Sequence, residues 1–438
     1  MIFILYSHAG GETMGSKEVG RRDFLKYGIS LVGAGVLGSQ LVYPLDPVYA
    51  QTEKKGKIKD PIRIGAQATL SGPFGGYGQF MKMGAQLAVD EINSSGGILG
   101  SKIEIEFRDE ELKPDVAAKN ARYFVDDWGA DFLTGLDASS SALGVGAIMG
   151  ELDKILIVTH GATEKLTENL VYKQGIKQIF RISVPVYQDG IAAAMVAKDF
   201  PAKRWVTIGA DYEYGHTAWN FFKATLKKLR PDVEFVEEAW AKFLTSDFGA
   251  HITKVMAANP DGIYSTQWAG EAVTLIKQAK LFGVFDKIQN WMTPMGAAMD
   301  VLEGLGKEYP EKAWVTCRYW FQYPNTPENK AFVDRFYKRW NKYPHYVSET
   351  TYSAIYAIKA AVEKAGTLST PELIKALEGM TLMTPAGKRY IRPEDHQAVY
   401  EVPWGRITHN PEYPFPTLTD LKVIPAEEYF RKPPFVEA

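Results

Sequence analysis

"PIRIGAQATLSGPFGGYGQFMKMGAQLAVDEINSSGGILG", residues Pro61–Gly100, sets one strand, one turn and one helix end to end. Ile62, Ile64 and Ala66 alternate with polar neighbours, which is the period of a strand. The glycine-rich stretch "LSGPFGGYG" then reads as a loop, and a helix follows from about Gln79 to Asn93. Phe80, Gly84, Leu87, Ala88 and Ile92 recur at spacings of three and four, so one face of that helix is apolar. Ser94-Ser-Gly-Gly97 is a breaker cluster that ends it.

Outward from this unit the same alternation continues. "KIEIEF" is a second strand, and Pro114 opens a helix at a position where its missing N–H costs nothing. "ADFLTG", a helix near Ser141–Asp153 and "ILIVT" complete a first run. A second run restarts with "RWVTIGA" and a helix after Gly215, then "VEFVEEA" and a helix through Ile252–Ala258. It goes on through "GIYSTQ", a helix over Ala272–Phe282 and "IQNWMT". Long helices over Pro327–Trp340 and Ser348–Ala365 and short alternating stretches such as "AVYEVPWGRI" finish the chain. Two consecutive runs of β-α-β units predict an α/β protein of two parallel-sheet lobes with helices on both faces. Ligands of such sheets sit outside the carboxyl ends of the strands, so two facing lobes make a cleft.

Near the start, Gly33-Ala-Gly35-Val-Leu-Gly38 matches the letters of a dinucleotide-binding turn. That turn needs a preceding strand, and it needs an acidic residue on a second strand about 20 positions on. Glu53 has the distance, but the polar stretch Gln51–Lys59 around it lacks strand alternation. Arg21-Arg22 and Lys26, the uncharged segment Tyr27–Leu45 and the small-residue site Val48-Tyr-Ala50 fit an export signal instead. Gly20-Arg21-Arg22-Asp23-Phe24-Leu25-Lys26 resembles a twin-arginine (Tat) signal, with Gly20 where Ser or Thr is usual. Residues 1–50 are therefore expected to be a signal peptide cleaved near Ala50, with 51–60 a linker and Met14 an alternative start. The expected destination is the periplasm.

Beyond the signal, roughly 390 residues are more than one core usually carries, which favours two domains. Hydrophobic residues make up 46% and charged residues 23%, ordinary for a globular protein. Lys plus Arg total 50 against 52 for Asp plus Glu, with no basic tract past the signal, so no nucleic-acid partner is expected. The one cysteine, Cys317, cannot form an internal disulfide; in "AWVTC" it reads as a small hydrophobe in a buried strand.

The chemistry-bearing motifs are few. "GPFGGYG" lacks the Gly-Lys-Ser/Thr ending of a phosphate loop, and reads as a tight strand–helix turn or one that presents Phe74 and Tyr77 to a cleft. "ASSS", Ala138 to Ser141, follows a strand and precedes a helix, where its hydroxyls and N–H groups cap the helix or bind a carboxylate. "HGAT", His160 to Thr163, lies past another strand end of the same lobe, and the pair suggests a joint anion site. No G-x-S-x-G, H-E-x-x-H or Cys/His cluster is present, and the seven histidines lack zinc-ligand spacing. Asp109-Glu110-Glu111 reads as a charged strand-to-helix loop rather than a catalytic pair. No catalytic residue, metal or cofactor is expected. Among the tryptophans Trp268, just past "GIYSTQ", is best placed to face a ligand.

The ordered set "IGAQATLSGPFGGYGQFMKMGAQLAVDEINSSGGILG", "ASSS", "GATEKLT", "DYEYG", "WVTCRYW" and "TPAGKRY" resembles the leucine/isoleucine/valine-binding family of periplasmic solute-binding proteins. The resemblance spans roughly residues 61 to 408. It implies a type I periplasmic binding protein: two Rossmann-like lobes joined by three crossovers, near Ser183–Tyr187, Trp314–Arg318 and Thr384–Tyr390. Lobe 1 would be 61–184 plus 317–386, and lobe 2 would be 185–316 plus 387–438. Ser139 or Ser140, with Ala162 and Thr163, would hold the solute's carboxylate. Tyr77 would cover it from lobe 1, Tyr214 and Trp268 from lobe 2. Where amino-acid binders of the family carry a Glu for the ammonium, "MTPMGAA" offers Met295, and the family's disulfide is absent. Either Asp189 or Asp211 replaces that charge, or the solute has no ammonium, which brings small and aromatic acids into play. The expected function is capture of such a solute for ABC permease subunits in the inner membrane. A ligand-sensing module of the same fold, acting on a receptor or regulator, is the alternative.

Overall fold

A computed structural model describes residues 58–435, all within one compact unit. The expected signal peptide and its cleavage site lie outside those residues. The first run builds β1 (Ile62–Ala68), α1 (Gly75–Ser94), β2 (Ile103–Asp109), α2 (Pro114–Arg122), β3 (Phe132–Gly135), α3 (Ser139–Leu152), β4 (Ile155–Val158) and β5 (Ile179–Arg181). Its five strands are all parallel, in the order β2-β1-β3-β4-β5. The position of each strand explains its composition. Interior β1 is buried along nearly its whole length, whereas edge β2 carries the half-exposed "EIEFRD". Leu133, Leu156 and Val158 pack one face against Ala117 and Ala121 of α2 and Val145 and Met149 of α3.

The second run gives α4 (Val186–Ala197), β6 (Arg204–Ala210), α5 (Glu213–Leu229), β7 (Glu234–Ala241), α6 (Gly249–Ala257) and β8 (Gly262–Ser265). It continues with α7 (Ala269–Leu281), α8 (Val284–Lys287), β9 (Asn290–Thr293), α9 (Met299–Leu305) and β10 (Trp314–Val315). The chain then forms α10 (Pro327–Trp340), α11 (Tyr346–Ala365), α12 (Thr370–Leu377) and three short strands, β11 (Thr381–Thr384), β12 (Gly387–Ile391) and β13 (Ala398–Val399). It returns as β14 (Pro403–Thr408) and β15 (Thr417–Val423). The second sheet runs β15-β14-β10-β9-β8-β6-β7, parallel from β10 to β7, with β14 and β15 added antiparallel at one edge.

Several boundaries differ from the sequence reading, each for a packing reason. Helix α1 begins at Gly75, so "GGYG" is its first turn and not a loop. That turn lies tight on the end of β1: a Cβ on Gly78 would come within 2.0 Å of the Thr69 carbonyl oxygen. Gly84 is needed for a different approach, since a Cβ there would meet Ser348 O at 2.0 Å where α1 and α11 touch. Cys317 is buried, but past the end of the two-residue β10, with its thiol 2.7 Å from Tyr319 O. The chain re-enters the second sheet between β13 and β14, later than the passage expected near Thr384–Tyr390. Until then it stays on the first sheet's edge, where Gln397 bridges Arg181 and Arg389 donates to Ile182 O.

Candidate functional site

The carboxyl ends of both sheets meet around a box of aromatic rings. Tyr77, in the first turn of α1, is 3% exposed; its ring stands edge-on to Trp268, with centroids 5.3 Å apart. Trp268 immediately precedes α7 and stacks at 4.6 Å on Phe74, which also stacks at 5.0 Å on Phe243. Behind Tyr77 lie His160 at 5.6 Å, His345 at 4.8 Å and Tyr346 at 6.0 Å. Tyr214 is buried at the start of α5, with its ring 6.0 Å from Tyr212. The rings of Tyr77 and Trp268 thus meet.

A buried polar chain supports this box. Asp137 holds Nδ1 of His160, and Nε2 of the same ring lies 2.6 Å from the Tyr346 hydroxyl. Burial lowers the His160 pKa and so favours the neutral ring, although Asp137 opposes the shift. Glu110, expected in a charged loop, is instead fully buried. Its Oε1 accepts the N–H groups of Asp137 at 2.7 Å and Ala138 at 3.0 Å, the free donors ahead of α3. Burial and the nearby Asp137 push the Glu110 carboxyl up to about 8, against the pull of those N–H groups.

The expected carboxylate site is largely bonded to itself. No side chain at the start of α3 caps it; Ser139 Oγ accepts the Thr163 N–H at 3.2 Å. Ser140 is exposed. Thr163 Oγ1 donates to Glu213 Oε1 at 3.2 Å, and Lys165 Nζ pairs with the same oxygen at 2.7 Å. Ala162 is buried, and its carbonyl accepts the Val186 N–H at 2.8 Å. Met295 is buried beyond β9, and its carbonyl accepts the Ala298 N–H.

Neither carboxylate proposed for an ammonium is unpaired. Asp211 pairs with His216 at 3.0 Å, both side chains more than two-fifths exposed. Asp189 in α4 is buried and accepts from Arg318 Nη2 at 3.1 Å. Burial raises the Asp189 pKa and the guanidinium opposes the rise; burial also works against the charge on Arg318, and Asp189, with Tyr346 and Tyr214, more than restores it. Sequence reasoning missed Arg318, His345, Tyr346 and Phe243, and passed over Asp137. Arg318 and Tyr212 stood inside the quoted motifs "WVTCRYW" and "DYEYG", but nothing in the spacing marked them.

Polar atoms remain over in the same place. Both ends of the Gln267 amide and the Arg318 Nε are buried without a hydrogen-bond partner. The Tyr77 and Tyr214 hydroxyls and the Trp268 indole N–H also lack a bond of good geometry, although Tyr346, Asp189 and Tyr212 stand within electrostatic reach. Such groups cost free energy unless an acceptor or donor reaches them. No group of three His, Cys, Asp or Glu side chains among the described residues is placed to hold a metal ion. No helix among them is long and apolar enough to cross a membrane.

Residues 61–410 match the model of a family described as periplasmic binding protein. The chain is 28% identical over 330 residues to a leucine-, isoleucine-, valine-, threonine- and alanine-binding protein of Pseudomonas aeruginosa, covering 75% of this chain and 85% of that one. It is 27% identical to the Leu/Ile/Val-binding protein of Escherichia coli, over 75% of this chain and 86% of the relative. Two solved structures from Rhodopseudomonas palustris each cover 84% of this chain and are covered over 98% of their own length. One is an ABC-type branched-chain amino acid transporter protein, 26% identical with a TM-score of 0.70. The other is a solute-binding protein of an ABC transporter in complex with p-hydroxybenzoic acid, 25% identical with a TM-score of 0.75.

Proposed function

Because the chain belongs to the periplasmic binding protein family, we propose that it is the solute-binding subunit of an ABC importer and captures an aromatic carboxylate that carries no ammonium group. The observation behind the solute class is that neither carboxylate expected to stand in for the missing Glu is unpaired. Asp189 is committed to Arg318, Asp211 pairs with His216 in solvent, and Met295 offers only a thioether and methylenes. An ammonium group buried there without a carboxylate would cost on the order of 3–5 kcal/mol. That is a large part of the roughly 8 kcal/mol in a micromolar affinity. Tyr77, Trp268 and Tyr214 supply aromatic surface suited to an aromatic ring, with Phe74 stacked behind Trp268. The relative with p-hydroxybenzoic acid bound supports the same class, whereas the relatives named for branched-chain amino acids represent the competing one.

In this reading the protein performs no chemistry; it closes on the solute and hands it to permease subunits. We take the closing bodies to be residues 61–184 with 317–399, and 185–316 with 400–438; the stretch 387–399 goes with the first body on its Gln397–Arg181 bridge. Tyr77, Ser139, Ala162, Thr163, Tyr214, Trp268 and Met295 then border the closed cleft, and Ser140 does not. Family members are periplasmic, and an export signal of the twin-arginine kind, cut near Ala50, is the route we propose.

Titration calorimetry with the purified chain tests the solute class. We expect 4-hydroxybenzoate to bind at micromolar or lower concentration and leucine to bind at least about 100-fold more weakly, near the cost of one uncompensated ammonium. Submicromolar leucine binding, with no response to benzoates, would show that the charge pairing had been misread.

A further inference from the structure

We propose that Glu110 positions the turn ahead of α3 for the solute's carboxylate, and that binding of the acid is linked to uptake of a proton by Glu110. This rests on the reading of the solute as an anion and of Ser139 and Thr163 as residues that border it.

Glu110 serves a helix end that has no cap of its own. It directly follows β2, whereas α3 starts two elements later with no side-chain cap. Glu110 Oε1 accepts the N–H groups of Asp137 at 2.7 Å and Ala138 at 3.0 Å, both ahead of the helix. The Ala142 N–H is the first to reach a carbonyl of this end, Ala138 O, so the N–H groups of Ser139, Ser140 and Ser141 meet none within the helix. Glu110 thus takes the two donors before α3 and leaves the three inside its first turn, where Ser139 already touches the Thr163 N–H. Such donors suit an anion. The chain turns sharply once Glu110 is seated: the next two residues, Glu111 and Leu112, are left-handed at φ 51° and 55°.

The surroundings of Glu110 supply negative charge and no cation. The side chain is fully buried. Asp137, itself bonded to His160 Nδ1, faces it from the turn before α3, and Asp109 and Glu111 flank it in the chain. The end of β1 offers only the Thr69 hydroxyl, donating to Oε1 at 3.4 Å, and α3 offers Ser141. From α2, Asn120 bonds to Asp109 O. Lys113, the cation of the same loop, pairs with Glu111 at 2.9 Å instead. Burial and Asp137 push the carboxyl up to about 8. A solute carboxylate at Ser139–Ser141 adds a further negative charge to this helix end, which favours the protonated form of Glu110. By the same linkage, ionised Glu110 opposes the acid.

Calorimetry in buffers of different ionisation enthalpy counts the protons taken up per solute bound. The probes are 4-hydroxybenzoate and its uncharged counterpart 4-hydroxybenzamide, on the full mature chain. With the acid, wild type should take up almost no proton at about pH 6.5, where Glu110 already holds one, and about half a proton at about pH 8. Acid affinity should fall about fourfold from about pH 6.5 to 8.5, and amide binding should show no such uptake. Glu110→Gln keeps an oxygen for the two N–H groups. In that variant the uptake should vanish while acid affinity at the lower pH stays near that of wild type. A merely structural Glu110 would leave no proton signature, so absence of uptake in wild type, or equal uptake in Glu110→Gln, overturns the proposal. If Glu110→Gln does not fold, Asp137→Asn decides. It removes the facing charge, so uptake should set in at lower pH, and an unmoved profile overturns the proposal. If neither compound binds wild type, the solute class has failed and this proposal with it; if the acid binds without proton uptake, only the role of Glu110 has failed.

Discussion

At the scale of single residues, the site depends on groups that burial has moved away from their ordinary chemistry. Glu110 is the clearest case, because its carboxyl is pushed up to about 8 by burial and by Asp137. The unfolded chain releases that proton near pH 4.3, so between the two values the folded protein binds the extra proton. Stability from this group is complete below the unfolded pKa and is lost as pH rises toward 8. His160, lowered by burial, has the opposite sign but acts only below its unfolded value near 6.5. Chemical denaturation between pH 6.5 and 8 should therefore show stability falling with pH, by at most about 1.4 kcal/mol per unit for one proton. Glu168, pushed to about 7 by burial, adds to the same trend, so the informative quantity is the difference from Glu110→Gln. That variant keeps an accepting oxygen for Asp137 and Ala138 and should flatten the slope; an identical slope would mean Glu110 is ionised in the fold. None of this was legible in the sequence. "DEE" looked like a solvated loop, and only the fold brings Glu110 under the N-terminus of α3.

Elements were read far better than residues, because periodicity reports burial directly. The face of α1 marked by Phe80, Gly84, Leu87, Ala88 and Ile92 is the one that packs inward, with all five buried. Edge strand β2 showed its position through its charges. The start of α1 was misplaced because glycines signal turns, and here they permit close approach instead. Helix α11 was begun too late, since the aromatic and β-branched Tyr346 and Val347 carry weak helix propensity while packing against the site and the core. Gly84 gives the element-scale prediction. Gly84→Ala should raise helix propensity by nearly 1 kcal/mol, yet its Cβ would collide with Ser348 O. Overpacking of that kind typically costs about 1–3 kcal/mol, so the net effect should be a lower urea midpoint with solute affinity preserved at low denaturant. A higher midpoint would mean α11 yields easily.

For the whole molecule, the two-sheet architecture followed from two runs of β-α-β units, but the way the lobes touch did not. Contacts across the cleft join residues far apart in sequence: Phe74 and Tyr77 with Trp268, Thr163 and Lys165 with Glu213, His345 with Asp300. The ion pair of Lys165 and Glu213 is partly solvated and worth at most about 1 kcal/mol. The rings around Trp268 are half-buried or buried and should dominate. A solute favours the closed form only by binding it more tightly than the open form, so a residue that touches both solute and opposite lobe sets the midpoint of closure. Trp268→Ala removes the rings' shared partner, a loss of about 2 kcal/mol or more by analogy with buried aromatic anchors at interfaces. Small-angle scattering during titration with 4-hydroxybenzoate should show the same compact end point for wild type and variant. The variant should need about 30-fold more solute to reach it. If it reached that end point at the wild-type concentration, closure would be driven elsewhere, and Trp268 would serve only to pack α7.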